Sequence, residues 1–475
     1  MTERPTGTEG GPLLRLSSTP GRWLIVVTVL GSGIAFLDGT VVNVALPAIG
    51  RDLGGGLATQ QWVIDGYLLT LGALLLAGGV AGDRYGRRRV FLLGLALFTV
   101  ASVVCAVAPT GPTLIAARVV QGIGAAALVP GSLALINSCI AEGDRGRAIG
   151  VWTGMSGVTS AIGPFIGGWL VDAYSWRWVF WLNVPLAVAA TLIALRHVPK
   201  SRSGTVGGRF DVAGAVLSVV GLGGVVYALI QGPSHGWTAP TIAAGVVGAV
   251  ALVAFPLVEA SVPDPLLPPG LFRSRQFTGA NLTTFLVYGA LGVAMFLLTL
   301  QLQQTLGYSA LAAGAATVPI TIILLLASPA MGSLGDRLGP RLPMTVGPVV
   351  AAVGLFLMVR IAPGVGYWNV VLPAVVVFGI GLTITVTPLT AAVLAAVDPD
   401  DVGAASGVNN AVSRVSGLLA IAVLPTLAGV TAAANQPLGP GFGVAMWISG
   451  ALCFAGGLVA WVTIRNQPND RHPRS

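Results

Sequence analysis

Four ionisable side chains, Asp38, Asp65, Arg118 and Arg414, stand inside stretches built otherwise mainly from apolar and small residues. A charged group in hydrocarbon is costly, and it commonly marks a proton relay or a transport path. Asp38 offers proton exchange. Ionised, it can hold a cation or a hydrogen-bonding ligand; protonated, it withdraws that charge. Arg118 is the only basic residue of its apolar stretch. Counted at ~1.5 Å per residue from the ends of their stretches, Asp38 and Arg118 reach similar depths in a ~30 Å core. Contact is therefore expected, with Arg118 as the regulator of Asp38; a static ion pair is the structural alternative. Asp65, in Gln61-Trp62-Val63-Ile64-Asp65, lies about one turn inside its stretch. It is a second candidate for a proton or cation, the alternative being an interfacial carboxylate reached by water. Arg414 lies near mid-stretch, with Asn409, Asn410 and Ser413 close in sequence.

The elements that carry these groups must be membrane helices. Of 475 residues, 54% are hydrophobic and 9% charged, against about a quarter charged in soluble domains. Residues 1–21 are polar and Gly/Pro-rich, unlike a cleavable leader. Fourteen apolar stretches, from 23–45 to 442–464, each approach the ~20 residues a bilayer demands of a helix. They are too long and continuous for barrel strands. Placing the N-terminus in the cytoplasm puts twenty Lys and Arg on inside segments and only Arg51 and Arg177 outside, a strong positive-inside bias. The expected class is an all-α integral membrane protein with both termini cytoplasmic.

Several functions are thereby excluded. The net charge of +8 is scattered singly or in small groups between apolar runs, so no nucleic-acid surface is expected. The three cysteines and three histidines are far apart, which leaves no metal site and no paired thiols. No connecting loop is long enough for a catalytic or nucleotide-binding domain. An enzyme is not expected, and no catalytic residue is assigned.

An internal repeat gives the architecture. Gly79-Val-Ala-Gly-Asp83-Arg84-Tyr-Gly86-Arg87-Arg88 recurs as Gly332-Ser-Leu-Gly-Asp336-Arg337-Leu-Gly339-Pro-Arg341. The copies are eight spans apart on the same side, which fits six helices, two inserted helices and six more. Duplicated bundles place a substrate site between their halves.

The first copy resembles the loop signature of the major facilitator superfamily. Arg118-Val-Val-Gln121-Gly122 resembles its Arg-x-x-Gln-Gly motif, and Gly163-Pro164-Phe-Ile-Gly167-Gly168 its antiporter motif. Asp38 to Pro47, Trp176-Arg177-Trp178 with Asn183 and Pro185, and Gln303 to Ser309 are similar to its fourteen-span drug/proton antiporter branch. Pro340 stands where the second loop copy would have a basic residue, which implies a weaker gate in the C-terminal half.

The resemblance implies a major facilitator fold of 14 transmembrane helices, two six-helix bundles with two extra central helices. The expected division is a cytoplasmic tail 1–22, bundles 23–195 and 277–464, a linker with the two additional helices 196–276, and a tail 465–475. The implied function is proton-coupled export of drug-like or antibiotic molecules by a plasma-membrane monomer. It runs without a cofactor, on the proton gradient. Asp38, Arg118 and Asp65 are the expected proton-coupling residues. Asn43, Gln61, Trp62, Gln121, Asn281, Tyr288, Gln301 and Arg414 are expected to line the substrate cavity. Gly79, Asp83, Arg84, Gly86, Arg87, Gly163, Pro164, Gly167, Gly168, Asp336 and Arg337 are expected to form the gate and switch. The spans hold no second deep anionic site for dications, so neutral or monovalent substrates are favoured. A proton-coupled importer or exporter of a metabolite or nutrient is the nearest rival, and a polytopic membrane enzyme or sensor a remote one.

Overall fold

Hydrogen-bonding demands inside a bilayer leave the helix as the natural element for these stretches, and helices dominate. A computed structural model describes residues 13–199, 210–398, 401–430 and 437–466. Parts of both tails and of the linker lie outside these residues, as does the side chain of Asp336. The N-terminal half comprises α1 (Thr19–Leu53), α2 (Gly56–Tyr85), α3 (Arg87–Ala106), α4 (Gly111–Cys139) and α5 (Glu142–Ala173). Its sixth span is broken into α6 (Trp178–Trp181) and α7 (Asn183–His197). The inserted pair is α8 (Val212–His235) and α9 (Ala239–Glu259). The C-terminal half contains α10 (Arg275–Leu300), α11 (Ala310–Leu338), α12 (Arg341–Met358), α13 (Leu372–Leu394), α14 (Val402–Leu427) and α15 (Gly441–Thr463).

Thirteen spans among the described residues are long and apolar enough to cross a membrane. The other expected span, in α5, is 32 residues long, or ~48 Å at ~1.5 Å per residue. Glycine, serine and threonine dilute its apolar residues. Helices overrun the apolar stretches at their ends, because a nucleated helix propagates at little cost and polar caps close it. Ser18 accepts from Gly21 N at the start of α1, and Thr110 from Thr113 N at the start of α4.

Within the first half α4 lies against α2 and α3, and α1 against α5 and α7; within the second, α12 lies against α13 and α15, and α10 against α14 and α15. The inserted helices pack on each other, and α8 also reaches α2 and α14. Between halves the second helix of each lies on the fifth of the other: α2 on α14, and α11 on α5. This arrangement is the pair of six-helix bundles with two extra helices that the repeat predicts.

Candidate functional site

Close helix approach builds the centre of the N-terminal half. Gly122 of α4 abuts the Tyr67 carbonyl and Thr70 hydroxyl of α2 so tightly that a Cβ would collide with both. Arg118, one turn away on α4, is thereby pressed between α1 and α2. Its Nε donates to the Val63 carbonyl at 2.9 Å, and its NH1 to Gln121 Oε1 at 2.6 Å and to Asp38 Oδ2. The guanidinium also lies over the Tyr67 ring, 4.3 Å from its centroid.

Asp38 is fully buried, as are Gln121 and Asn183, and Arg118 is 1% exposed. The Oδ1 atom of Asp38 accepts from Gln121 Nε2 at 3.0 Å and from Asn183 Nδ2 at 2.8 Å. Asn183 donates as well to Ser102 Oγ at 3.0 Å, and Ser102 to the Phe180 carbonyl at 2.9 Å. One carboxylate thus ties together α1, α3, α4 and the start of α7. Hydrogen bonds to a charged group each contribute about 1.5–3 kcal/mol, so the charge state of Asp38 sets how firmly these helices hold. A ligand meets Asp38 directly only after the network opens.

The structure joins Asp38, Arg118 and Gln121 but not Asp65. That residue lies on the face of α2 that also carries Gln61 and Gly72. Gln61 Nε2 donates to the Ile421 carbonyl of α14 at 2.6 Å, and Gly72 faces Arg414 and Val415. Asp65 is fully buried, and neither oxygen has a hydrogen-bond partner among the described residues. Arg414 projects from α14 toward the N-terminal half, over the Phe36 ring at 5.3 Å, and its Nε is buried without a hydrogen-bond partner among the described residues. Tyr67 and Tyr288 lie within reach of its charge.

The other cavity candidates are dispersed. Asn281 accepts from Asn409 Nδ2 at 3.2 Å, joining α10 to α14. Asn43 donates weakly to the Gly39 carbonyl within α1. Gln301 donates to the Ile361 carbonyl at 2.8 Å. Trp62 leans on Tyr227 of the inserted α8, with ring centroids 6.2 Å apart.

The residues expected to form the gate fall at two ends of the seams between halves. On α5, Gly163 and Gly167 pack on Thr40, Val41 and Val44 of α1, while Gly168 abuts Ala310 and Leu311 of α11. Gly314 of α11 in turn abuts the Pro164 carbonyl. Continued by helical spacing toward the start of α5, the same face carries Gly143, Gly146, Gly150, Gly154 and Gly157, where a Cβ would meet nothing within 4 Å. The helices α5 and α11 are therefore closed at the 164–168 end and splayed at the other.

At the splayed end Gly86, with φ of 98°, joins α2 to α3 in one residue, a left-handed turn that favours glycine. Gly79 sits beside Pro130 of α4. Asp83 is bonded to Arg87 Nε at 2.7 Å, within its own loop. Arg84 is exposed and lies over Tyr85; Arg337 is exposed at the end of α11, the helix that also carries Asp336.

Sequence reasoning assigned no role to three partners. Asn183 follows Trp176-Arg177-Trp178 in sequence, but only the fold brings it to Asp38. Ser102 is one hydroxyl in an apolar run and gave no signal. Asp172, at the end of α5, accepts from the backbone of Ala310 and Leu311 at 3.1 and 2.8 Å, across the seam.

Two six-helix halves, with a buried charged network at the centre of the first, define a multi-pass helical membrane transporter. The family model for the Major Facilitator Superfamily matches residues 28–421 and 280–475. The chain belongs to that superfamily. It is 39% identical over 464 residues to the puromycin resistance protein pur8 of Streptomyces alboniger, covering 94% of this chain and 92% of that one. It is 36% identical over 458 residues to a methylenomycin A resistance protein of Bacillus subtilis, covering 95% and 96%. Among solved structures, a POT family transporter in complex with a thioalcohol-conjugated peptide superposes with a TM-score of 0.72 at 16% identity, covering 94% and 98%. The E. coli xylose transporter XylE, partially occluded and inward open, gives 0.65 at 14%, covering 95% and 99%.

Proposed function

We propose that this chain exports drug-like or antibiotic molecules in exchange for protons, by alternating access across a bacterial plasma membrane. Both termini are cytoplasmic, the unit is a monomer, and the proton gradient stands in place of a cofactor. The observation that carries this reading is the Asp38–Arg118 pair, the one fully buried ion pair among the described residues. It sits in a chain whose relatives include proteins named for puromycin and methylenomycin A resistance.

Protonation of Asp38 removes the charge that holds Arg118, Gln121 and Asn183, and so loosens α1 from α3, α4 and α7. Substrate occupies the seam between halves, near Arg414, Tyr288 and Asn281, and its binding competes with the proton through that loosening. Asp65 is the second proton carrier. The bundles 23–195 and 277–464 rock against each other, with 196–276 supplying the inserted pair. In the orientation set by the positive-inside bias, the Asp172 end is outside, and this conformation admits substrate from the cytoplasm. A proton-motive force of ~150 mV supplies ~3.5 kcal/mol per proton, enough for about 300-fold accumulation of a neutral substrate at 1:1 exchange.

Everted membrane vesicles test the reading. Puromycin or another antibiotic from a resistance panel, added to energised vesicles, collapses the proton gradient when this chain is present. No collapse with any compound that the chain protects against would overturn antiport.

A further inference from the structure

Away from the seam and the Asp38 network, two carboxyl groups meet at one end of the inserted helix pair. Asp211 is the cap of α8: its Oδ1 accepts from Gly214 N at 2.8 Å. Glu259 closes α9, and its Oε2 accepts from Leu267 N at 2.8 Å. They are 7% and 1% exposed. The remaining oxygens, Asp211 Oδ2 and Glu259 Oε1, are buried without a hydrogen-bond partner among the described residues. Both crowd the same spot, since a Cβ on Gly214 would collide with each of them. Two carboxylates side by side and out of water cannot both be ionised without a compensating charge.

We infer that Asp211 and Glu259 bind one proton between them, as an O–H···O bond joining the two unpartnered oxygens. The proton belongs to the pair rather than to either residue. A metal ion fits less well. Cations such as calcium take six or more oxygen ligands, whereas no group of three His, Cys, Asp or Glu suited to a metal occurs among the described residues. With the proton in place the end of the inserted pair closes. Phe210, Ala215 and Leu266 then pack against Ala77 and Val80 of α2, and Ser218 Oγ donates to the Ala73 carbonyl of α2 at 3.0 Å. The proton thus helps seat the insert on a helix of the seam.

Among the described residues, other charged groups on the elements packed here are Asp65, Asp83 and Arg84 of α2, Arg414 of α14, His235 at the far end of α8, and Asp264 in the loop after α9. None is a hydrogen-bond partner of the two unpartnered oxygens.

The full chain, purified in detergent, is melted between pH 5 and pH 9 alongside Glu259→Gln and Asp211→Asn. Each amide supplies an N–H in place of the shared proton. The parent loses about 3 °C or more once rising pH strips the proton and leaves two adjacent carboxylates, whereas both variants lack that step. The histidines are common to all three proteins, so the difference reports the pair. The infrared carbonyl stretch of a protonated acid is present in parent-minus-Glu259→Gln difference spectra at neutral pH. A parent that melts at constant temperature, variants that share its pH step, or a missing acid band would overturn the proposal. So would stabilisation of the parent by sodium or calcium ions without pH dependence.

Discussion

The carboxylate of Asp172, in the last turns of α5, accepts from Leu311 N at 2.8 Å in the first turn of α11. Ala310 N adds a second bond at 3.1 Å. A helix N-terminus presents unsatisfied N–H groups and about half a positive charge, worth ~0.3–1 kcal/mol to an anion and up to ~2 when partly buried. The contact crosses from one half to the other at the end where Gly168 and Gly314 let α5 and α11 touch. Gln303 Nε2 adds a further crossing bond, to the Val44 carbonyl of α1 at 3.0 Å.

Asp172→Asn keeps the shape but removes the charge. A loss of about 1–2 kcal/mol shifts the balance of the two conformations roughly 5- to 30-fold away from the one described here. Spin labels on α5 and α11 near residues 172 and 311 read this as a larger population at long distance. An unchanged distance distribution would remove Asp172 from gating.

Gly168→Val tests the same seam by shape. The added Cβ meets Ala310 and Leu311 backbone, which cannot yield as a flexible side chain would. The variant is expected to insert normally and to be unable to close the Asp172 end. Cysteine-accessibility labelling near Gly314 should rise and efflux should fall at least tenfold.

Asp38→Asn mimics the protonated carboxyl permanently. Gradient-driven efflux should be abolished at equal expression while downhill exchange survives, measured in the same vesicles. Arg118→Lys loses the geometry that lets one guanidinium serve Val63, Gln121 and Asp38 together. It should retain less than a tenth of the activity. Proton release on substrate binding that is unchanged in Asp38→Asn would move the coupling to Asp65.

Asn183→Ala removes one of the three side chains that hydrogen-bond Asp38. The expected cost is about 1.5–3 kcal/mol, read as a lower melting temperature together with slower efflux. Wild-type efflux and stability would show that Asn183 is a bystander.

Asp65→Leu separates stability from function. Both oxygens of Asp65 are buried without a hydrogen-bond partner among the described residues, so replacing the side chain by an apolar one should raise the melting temperature, in the ~1–3 kcal/mol range of a relieved unsatisfied group. Proton coupling should be weakened at the same time. A destabilised variant would mean that Asp65 has a structural partner in the membrane.

Helix number, spacing and the repeat were legible in the residues because the bilayer imposes a local rule. Each span must satisfy its own backbone bonds and show apolar side chains to lipid, and about 20 successive residues suffice to display that. Asp38 and Arg118 stood out for the same reason, and depth counting brought them together because both helices cross the same slab. That Asn183 and Ser102 complete their network depends on helix rotation and on close approaches such as Gly122 against Tyr67, which involve residues distant in sequence. That Asp83 bonds to Arg87 likewise follows from how α2 and α3 are set at the splayed end of the halves. Asp172 and the Asp211–Glu259 pair read in sequence as ordinary helix-end acids. Only tertiary structure decides which N–H groups or which second carboxyl each one meets, because that depends on how whole helices are set against one another.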